Sequence, residues 1–137
     1  VLLGRVDKDV LQLLEDSPYH CDYSRSDVDR LIEAPIRNGK AMGHYEGDKL
    51  TSLLTWAFLD PEQTAGYLSK TKKLEASYFE QNEGELWFIE FIAPYGNVKN
   101  IIKAYQKTYN KMYPDITTGK MFRRAKGYDA RVIVRAR

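Results

Sequence analysis

The residues in this chain that invite chemistry fall in two stretches that are far apart in sequence. Glu90 interrupts the run LWFIEFIAPYG, where its neighbours are Trp, Phe and Ile. An unpaired carboxylate in such surroundings is expensive, so Glu90 needs a partner, a proton or a task. His20, in the loop SPYHCDYS, is the best partner, since it lies on no helical apolar stripe. A histidine oriented by a carboxylate is a general base near neutral pH. The alternative for Glu90 is a structural carboxylate paired with an arginine or capping a loop. Ser17 either orients His20 or caps a turn, and the cap is the simpler local reading. Cys21 is a poor nucleophile for His20, because adjacent residues in an extended loop point apart. His44 reads as a structural strand histidine. Two histidines and one cysteine at unrelated spacings form no metal-ligand pattern, and there is no Walker loop or GxGxxG.

The elements that must position these residues follow from periodicity. Val6, Val10, Leu13 and Leu14 predict a helix over 6–15, stopped by Ser17-Pro18. A second helix follows Ser24 or Ser26, with Val28, Leu31, Ile32 and Ile36 on one face, and Pro35 should kink or end it. Residues 40–60 read as a hairpin turning at Glu46-Gly47-Asp48-Lys49, then a short helix over 61–69. A strand is expected near Glu75–Glu80. LWFIEFIAP is the strongest strand and should be central, with Phe88, Glu90 and Ile92 on one face and Trp87, Ile89 and Phe91 on the other. Glu90 then lies near the strand's C-terminal end, where open sheets tend to place ligands. A helix follows from Val98, its buried stripe formed by Val98, Ile101, Ile102, Tyr105, Tyr109 and Met112. The chain closes on strand material in which Val132, Val134 and Ala136 share a side. This order predicts an α+β sandwich around one main sheet, in a single domain over residues 1–137.

Charge is unevenly spread. Residues 1–98 carry 10 Lys/Arg and 17 Asp/Glu, a net of −7, whereas residues 99–137 carry 11 and 2, a net of +9. Lys99, Lys103, Lys107 and Lys111 recur every four residues along one helix, and Arg123, Arg124 and Lys126 add to the basic character. Such a stripe is either a solvated face or a docking surface for an acidic partner. Without the aromatics of RNA-binding motifs, nucleic acid is not the expected partner. No apolar run nears the ~20 residues of a membrane helix. No secretory pattern opens the chain and the lone cysteine forms no internal disulfide, so the expected setting is cytoplasmic.

Ser17-Pro18-Tyr19-His20, Thr55-Trp56-Ala57, Trp87 to Gly96 and Gly119-Lys120 together carry a resemblance. Across roughly residues 8–126 the chain resembles the toxin-activating lysine acyltransferases, the haemolysin-activating type that serves RTX toxins. Their pattern combines S-P-x-H, S-W-A, W-F-I-D-x-I-A-P-x-G and G-K. The resemblance implies a GNAT-like sandwich with a central mixed, mostly antiparallel sheet flanked by helices. It implies a fatty acyl donor, acyl-loaded acyl carrier protein, an acceptor protein with an internal target lysine, and no tightly bound cofactor. It carries the catalytic histidine to His20 and the catalytic acid to Glu90. Ser17, Pro94, Gly96, Asn97 and Lys99 are the expected donor-binding positions. Backbone N–H groups around Pro94–Asn97 would serve an oxyanion or a phosphate, and the Lys99–Lys111 stripe would complement the acidic carrier. A homodimer or larger assembly is also expected. The sequence departs from the pattern in having Glu90 for Asp, one methylene or about 1 Å longer, and in ending just after its last strand. Three rival readings stay open. One is a catalytically idle GNAT-like module in a larger assembly such as a phage particle. The second is a CoA-dependent acetyltransferase, disfavoured by the single-glycine loop. The third is a salt-sensitive nucleic-acid binder.

Overall fold

The computed structural model describes residues 1–69, 71–116, 118–125 and 128–135, with residues 118, 122–125 and 128–135 traced as backbone. Helix α1 (Lys8–Glu15) begins two residues later than periodicity predicts, because the Asp7 carboxylate caps it by accepting from the Asp9 and Val10 N–H groups. Its Val10, Leu13 and Leu14 are buried. Ser24 and Asp27 form a reciprocal capping box that starts α2 (Arg25–Val28). The chain then widens into a π-helix (Asp29–Glu33) and continues as α3 (Ala34–Arg37). Pro35 therefore does not end this helical stretch, which runs on to Arg37. The Ala34 N–H donates to the Asp29 carbonyl five residues back, and the wider turn offsets the carbonyls that a proline ring would otherwise meet.

Strands β1 (Ala41–Glu46) and β2 (Lys49–Leu59) form the predicted hairpin. After α4 (Pro61–Ser69), the segment Ala76–Glu80 is a 3₁₀-helix and not the expected strand. It packs Phe79 fully inside, beside Ala34, Leu59 and Trp87. Burying one bulky ring between the sheet and α3 suits a tight turn, and this segment adds no partner to the sheet. Strand β3 (Glu85–Ile92), helix α5 (Val98–Met112) and strands β4 (Thr118–Ala125) and β5 (Tyr128–Arg135) complete the chain. The strand order is β1-β2-β3-β4-β5, antiparallel except for the parallel β3–β4 pair that α5 bridges. The fold is α+β, with β3 at the centre of a mixed, mostly antiparallel sheet flanked by helices, as a GNAT-like sandwich requires. Gly119 explains part of the G-K segment: a Cβ there would lie 2.7 Å from the Phe88 ring, so glycine lets β4 close on β3. Lys120 next to it pairs with Glu85.

One irregularity decides where Glu90 points. Thr55 pairs with Glu90 but Trp56 pairs with Phe88, so Ile89 is an extra residue in β3. This β-bulge breaks the simple alternation. Leu86, Phe88 and Phe91 pack with Ile101, Tyr105 and Tyr109 of α5. Trp87 packs with Ala34 and Phe79, and Ile92 with α1. Glu90 thus shares the α1–α3 face with Thr55, Trp87 and Ile92, whereas Phe88 is on the opposite face, contrary to strict alternation.

The buried stripe of α5 is also shorter than expected. Val98 and Ile102 remain 42% and 38% exposed, and burial begins at Ile101. Asn97 enters the helix at φ 61° and donates from Nδ2 to Glu46 at the end of β1, which holds the first turn at the sheet's end. The sides taken by Val132, Val134 and Ala136, and the placement of the Arg123, Arg124 and Lys126 side chains, lie outside the described residues and side chains.

Gly84 sets the entry to β3. Its φ is +128°, and a Cβ there would sit 2.5 Å from the Leu59 carbonyl oxygen. At Gly39, φ is +70° and nothing lies within 4 Å of such a Cβ. Gly84→Ala should therefore destabilise by more than about 2 kcal/mol, from backbone strain plus a clash, and Gly39→Ala by about 1 kcal/mol. Urea denaturation of the two variants checks the difference.

Candidate active site

The turn after α1 carries two of the three predicted groups. The His20 and Cys21 N–H groups both donate to the Ser17 carbonyl, at 3.1 and 3.0 Å. This winds the S-P-Y-H segment so that positions 17 and 20 face one another. The Ser17 hydroxyl lies 2.6 Å from His20 Nδ1. Across the sheet, His20 Nε2 is 2.7 Å from Glu90 Oε2. A carboxylate only accepts, so the Nε2 proton is donated to Glu90. In the neutral ring Nδ1 is then bare and accepts from the Ser17 hydroxyl. Ser17, His20 and Glu90 are 5%, 6% and 3% exposed, so the array is dry, with the exposed residues Asp16, Pro18 and Tyr19 beside it in the chain.

The second Glu90 oxygen is also engaged. Tyr23 donates its hydroxyl to Oε1 at 2.6 Å, and its ring meets His20 edge-on at 5.0 Å between centroids. The Glu90 N–H donates to Thr55 Oγ1 at 3.1 Å, the bulge having left it free of the ladder at that point. A buried carboxylate is thus held by an imidazole, a phenol and its own backbone anchor, as burial requires. Among the described residues, no arginine is hydrogen-bonded or ion-paired to Glu90.

The loop after β3 is tied to the same place from the other side. Tyr95 donates its hydroxyl to Asp16 Oδ2 at 2.5 Å, one residue before Ser17, and Lys49 Nζ sits 3.8 Å over the Tyr95 ring. Gly96 has open space around its Cα and Asn97 occupies the left-handed region, so Pro94–Asn97 makes a tight, exposed entry to α5. Among the described residues, none of Pro94, Gly96, Asn97 or Lys99 is hydrogen-bonded to the array, and Lys99 is exposed on the first turn of α5. Cys21 is exposed, with its thiol directed to the Pro18 carbonyl at 3.8 Å. The His44 ring packs edge-on to Tyr105. Among the described residues no group of three His, Cys, Asp or Glu could hold a metal, and no helix is long and apolar enough to cross a membrane.

Residues 3–135 match the family described as RTX toxin acyltransferases. The chain belongs to that family. No curated protein matches it. Membership makes the chain an acyltransferase of the toxin-activating type, and the array of Ser17, His20 and Glu90 is where its described residues concentrate buried acid–base groups.

Sequence reasoning missed Tyr23, Thr55 and the Asp16–Tyr95 tie. Tyr23 was within reach: it stands three residues after His20, and its N–H donates to the His20 carbonyl at 3.1 Å, a turn spacing that puts both rings together. The other two join distant segments, and no local pattern announces them.

The Asp16–Tyr95 tie is pH-sensitive. The shared hydrogen bond is the main cause that pushes the Tyr95 phenol up to about 12 and holds the Asp16 carboxyl below its ordinary value. A raised phenol contributes stability fully below about pH 10 and loses it as pH rises through about 12; a depressed carboxyl contributes above about pH 4 and loses it as pH falls further. In Asp16→Asn, Tyr95 should titrate nearer the ordinary phenol range. Ultraviolet alkaline titration of wild type against the variant reads this as one tyrosine moving to lower pH.

Proposed function

We propose that this chain moves a fatty acyl group from acyl carrier protein to a lysine ε-amine of an RTX-type acceptor, in the cytoplasm, with His20 as general base and Glu90 holding it. The observation that carries the proposal is the dry Ser17–His20–Glu90 array, in which both ring nitrogens are engaged, at 2.6 and 2.7 Å. The lysine nitrogen attacks the thioester carbonyl carbon. Its proton passes to Ser17 Oγ as the serine proton passes to Nδ1, and Glu90 offsets the charge of the imidazolium so formed. Collapse breaks the C–S bond, and the proton returns along the same path to the departing thiolate. The backbone N–H groups of Tyr95 and Asn97 would meet the oxyanion, and the Tyr95–Asp16 tie supports this by holding that loop to the residue before Ser17. Gly96 leaves room for a donor arm to approach, and Lys99 would meet its phosphate.

Lys99, Lys103, Lys107 and Lys111 are all exposed, and none has an ion-pair partner among the described residues. That favours the stripe as the carrier's docking face, by charge complementarity with an acidic protein. The contact between Ser17 Oγ and the bare Nδ1 also favours a second reading: Ser17 attacks the thioester first and hands the acyl group on from an acyl-serine.

Intact-mass spectrometry with acyl-loaded carrier and an RTX-type acceptor tests both. The acceptor should gain one acyl mass, and the rate should fall roughly a hundredfold or more in His20→Ala and Glu90→Gln. A stable acyl gain on the enzyme without acceptor, lost in Ser17→Ala, would select the acyl-serine route. Absence of both transfer and carrier binding in the wild type would contradict the proposal and leave the idle module.

A further inference from the structure

We propose that Tyr23 is a positioning residue for acyl transfer. By holding the second oxygen of Glu90, it fixes the carboxylate on His20 Nε2 and so keeps Nδ1 as the basic nitrogen. The inference rests on the reading of His20 as the base, and it adds a residue that the sequence motifs do not include.

A glutamate side chain has three rotatable bonds, and its carboxylate can turn so that either oxygen, or neither, faces the imidazole. Thr55 anchors the backbone of Glu90 and leaves those torsions free. Among the described residues, the groups that fix the carboxylate plane are His20 on Oε2 and Tyr23 on Oε1, at 2.7 and 2.6 Å. Tyr23 itself comes from the turn that carries His20, through its N–H to the His20 carbonyl. Base and clamp therefore move together, and both grip one carboxylate from one loop. The consequence is tautomeric. If the carboxylate swings away from Nε2, the imidazole proton is no longer held there, and the ring can carry it on Nδ1, facing Ser17. In that tautomer Nδ1 cannot accept a proton, and the bare nitrogen faces the wrong side of the ring.

The test is nitrogen NMR of imidazole-labelled protein alongside kinetics. Tyr23→Phe keeps the ring and its edge contact with His20, and removes only the hydroxyl. In the wild type His20 should show one neutral tautomer, protonated at Nε2. In Tyr23→Phe the Nδ1-protonated form should appear, and kcat should fall about tenfold with KM for donor and acceptor unchanged, a part of what a positioned base supplies. Glu90→Asp draws the carboxylate back by one methylene, so it should lose the clamp as well. Tyr23→Phe should then have little further effect on kcat in that background. An unchanged tautomer and kcat in Tyr23→Phe, with only a lower melting temperature, would overturn the proposal. The tautomer signal does not depend on turnover. A wild type that shows the Nε2 tautomer but no transfer would therefore count against the proposed reaction, and the Tyr23→Phe spectrum would still decide the clamp.

Discussion

A carboxylate buried in the middle of an apolar sheet governs this structure. Glu90 is 3% exposed on a strand of Trp, Phe and Ile. Leaving such a charge unpaired would cost several kcal/mol, and breaking a buried pair by removing one partner typically costs about 3–5 kcal/mol. The surrounding elements meet that demand. The bulge at Ile89 turns Glu90 toward the α1–α3 face, Thr55 takes its N–H, and the loop after α1 delivers an imidazole and a phenol to its two oxygens. Without the bulge, strict alternation would put Glu90 on the α5 side with Phe88, away from His20.

The site is built from segments of different character. The sheet fixes Glu90, since β2 and β3 bury nearly every side chain they share. His20 and Ser17 sit on a turn, and turns are less constrained than strands. This turn is secured at three points: the Asp7-capped helix before it, the Glu90 contact through it, and the Tyr95–Asp16 tie beside it. An acyltransferase needs its base within a fraction of an ångström of the productive position. Securing a loop on both flanks lets a small fold hold that turn and still leave residues 95–97 and the α5 lysines exposed.

Much of this was legible beforehand. The hairpin, the central strand and the helix after it announce themselves by alternation, turn residues and 3.6-residue spacing. The His20–Glu90 pairing was legible because a buried acid demands a partner and the chain offers few. What failed was local in origin. Glu75–Glu80 looks like strand material, but its Phe79 is claimed by a pocket between α3 and the sheet, so a 3₁₀ turn serves better. Pro35 should break a helix, yet a π turn ahead of it absorbs the insult. The bulge leaves no mark in LWFIEFI, because residues on both faces are apolar, and only the phase of β2 reveals it. Val98 and Ile102 keep helical spacing where no sheet lies beneath them.

In the proposed mechanism His20 and Glu90 act as one unit. The most direct measurement is a double-mutant cycle in single-turnover acyl transfer, comparing His20→Ala, Glu90→Gln and the double variant. In the proposed mechanism Glu90 works only through the imidazole, so the double variant should be no slower than His20→Ala alone. Losses that multiply would mean that the two residues act separately, and that the 2.7 Å contact between them is a structural bond and not the working part of the enzyme.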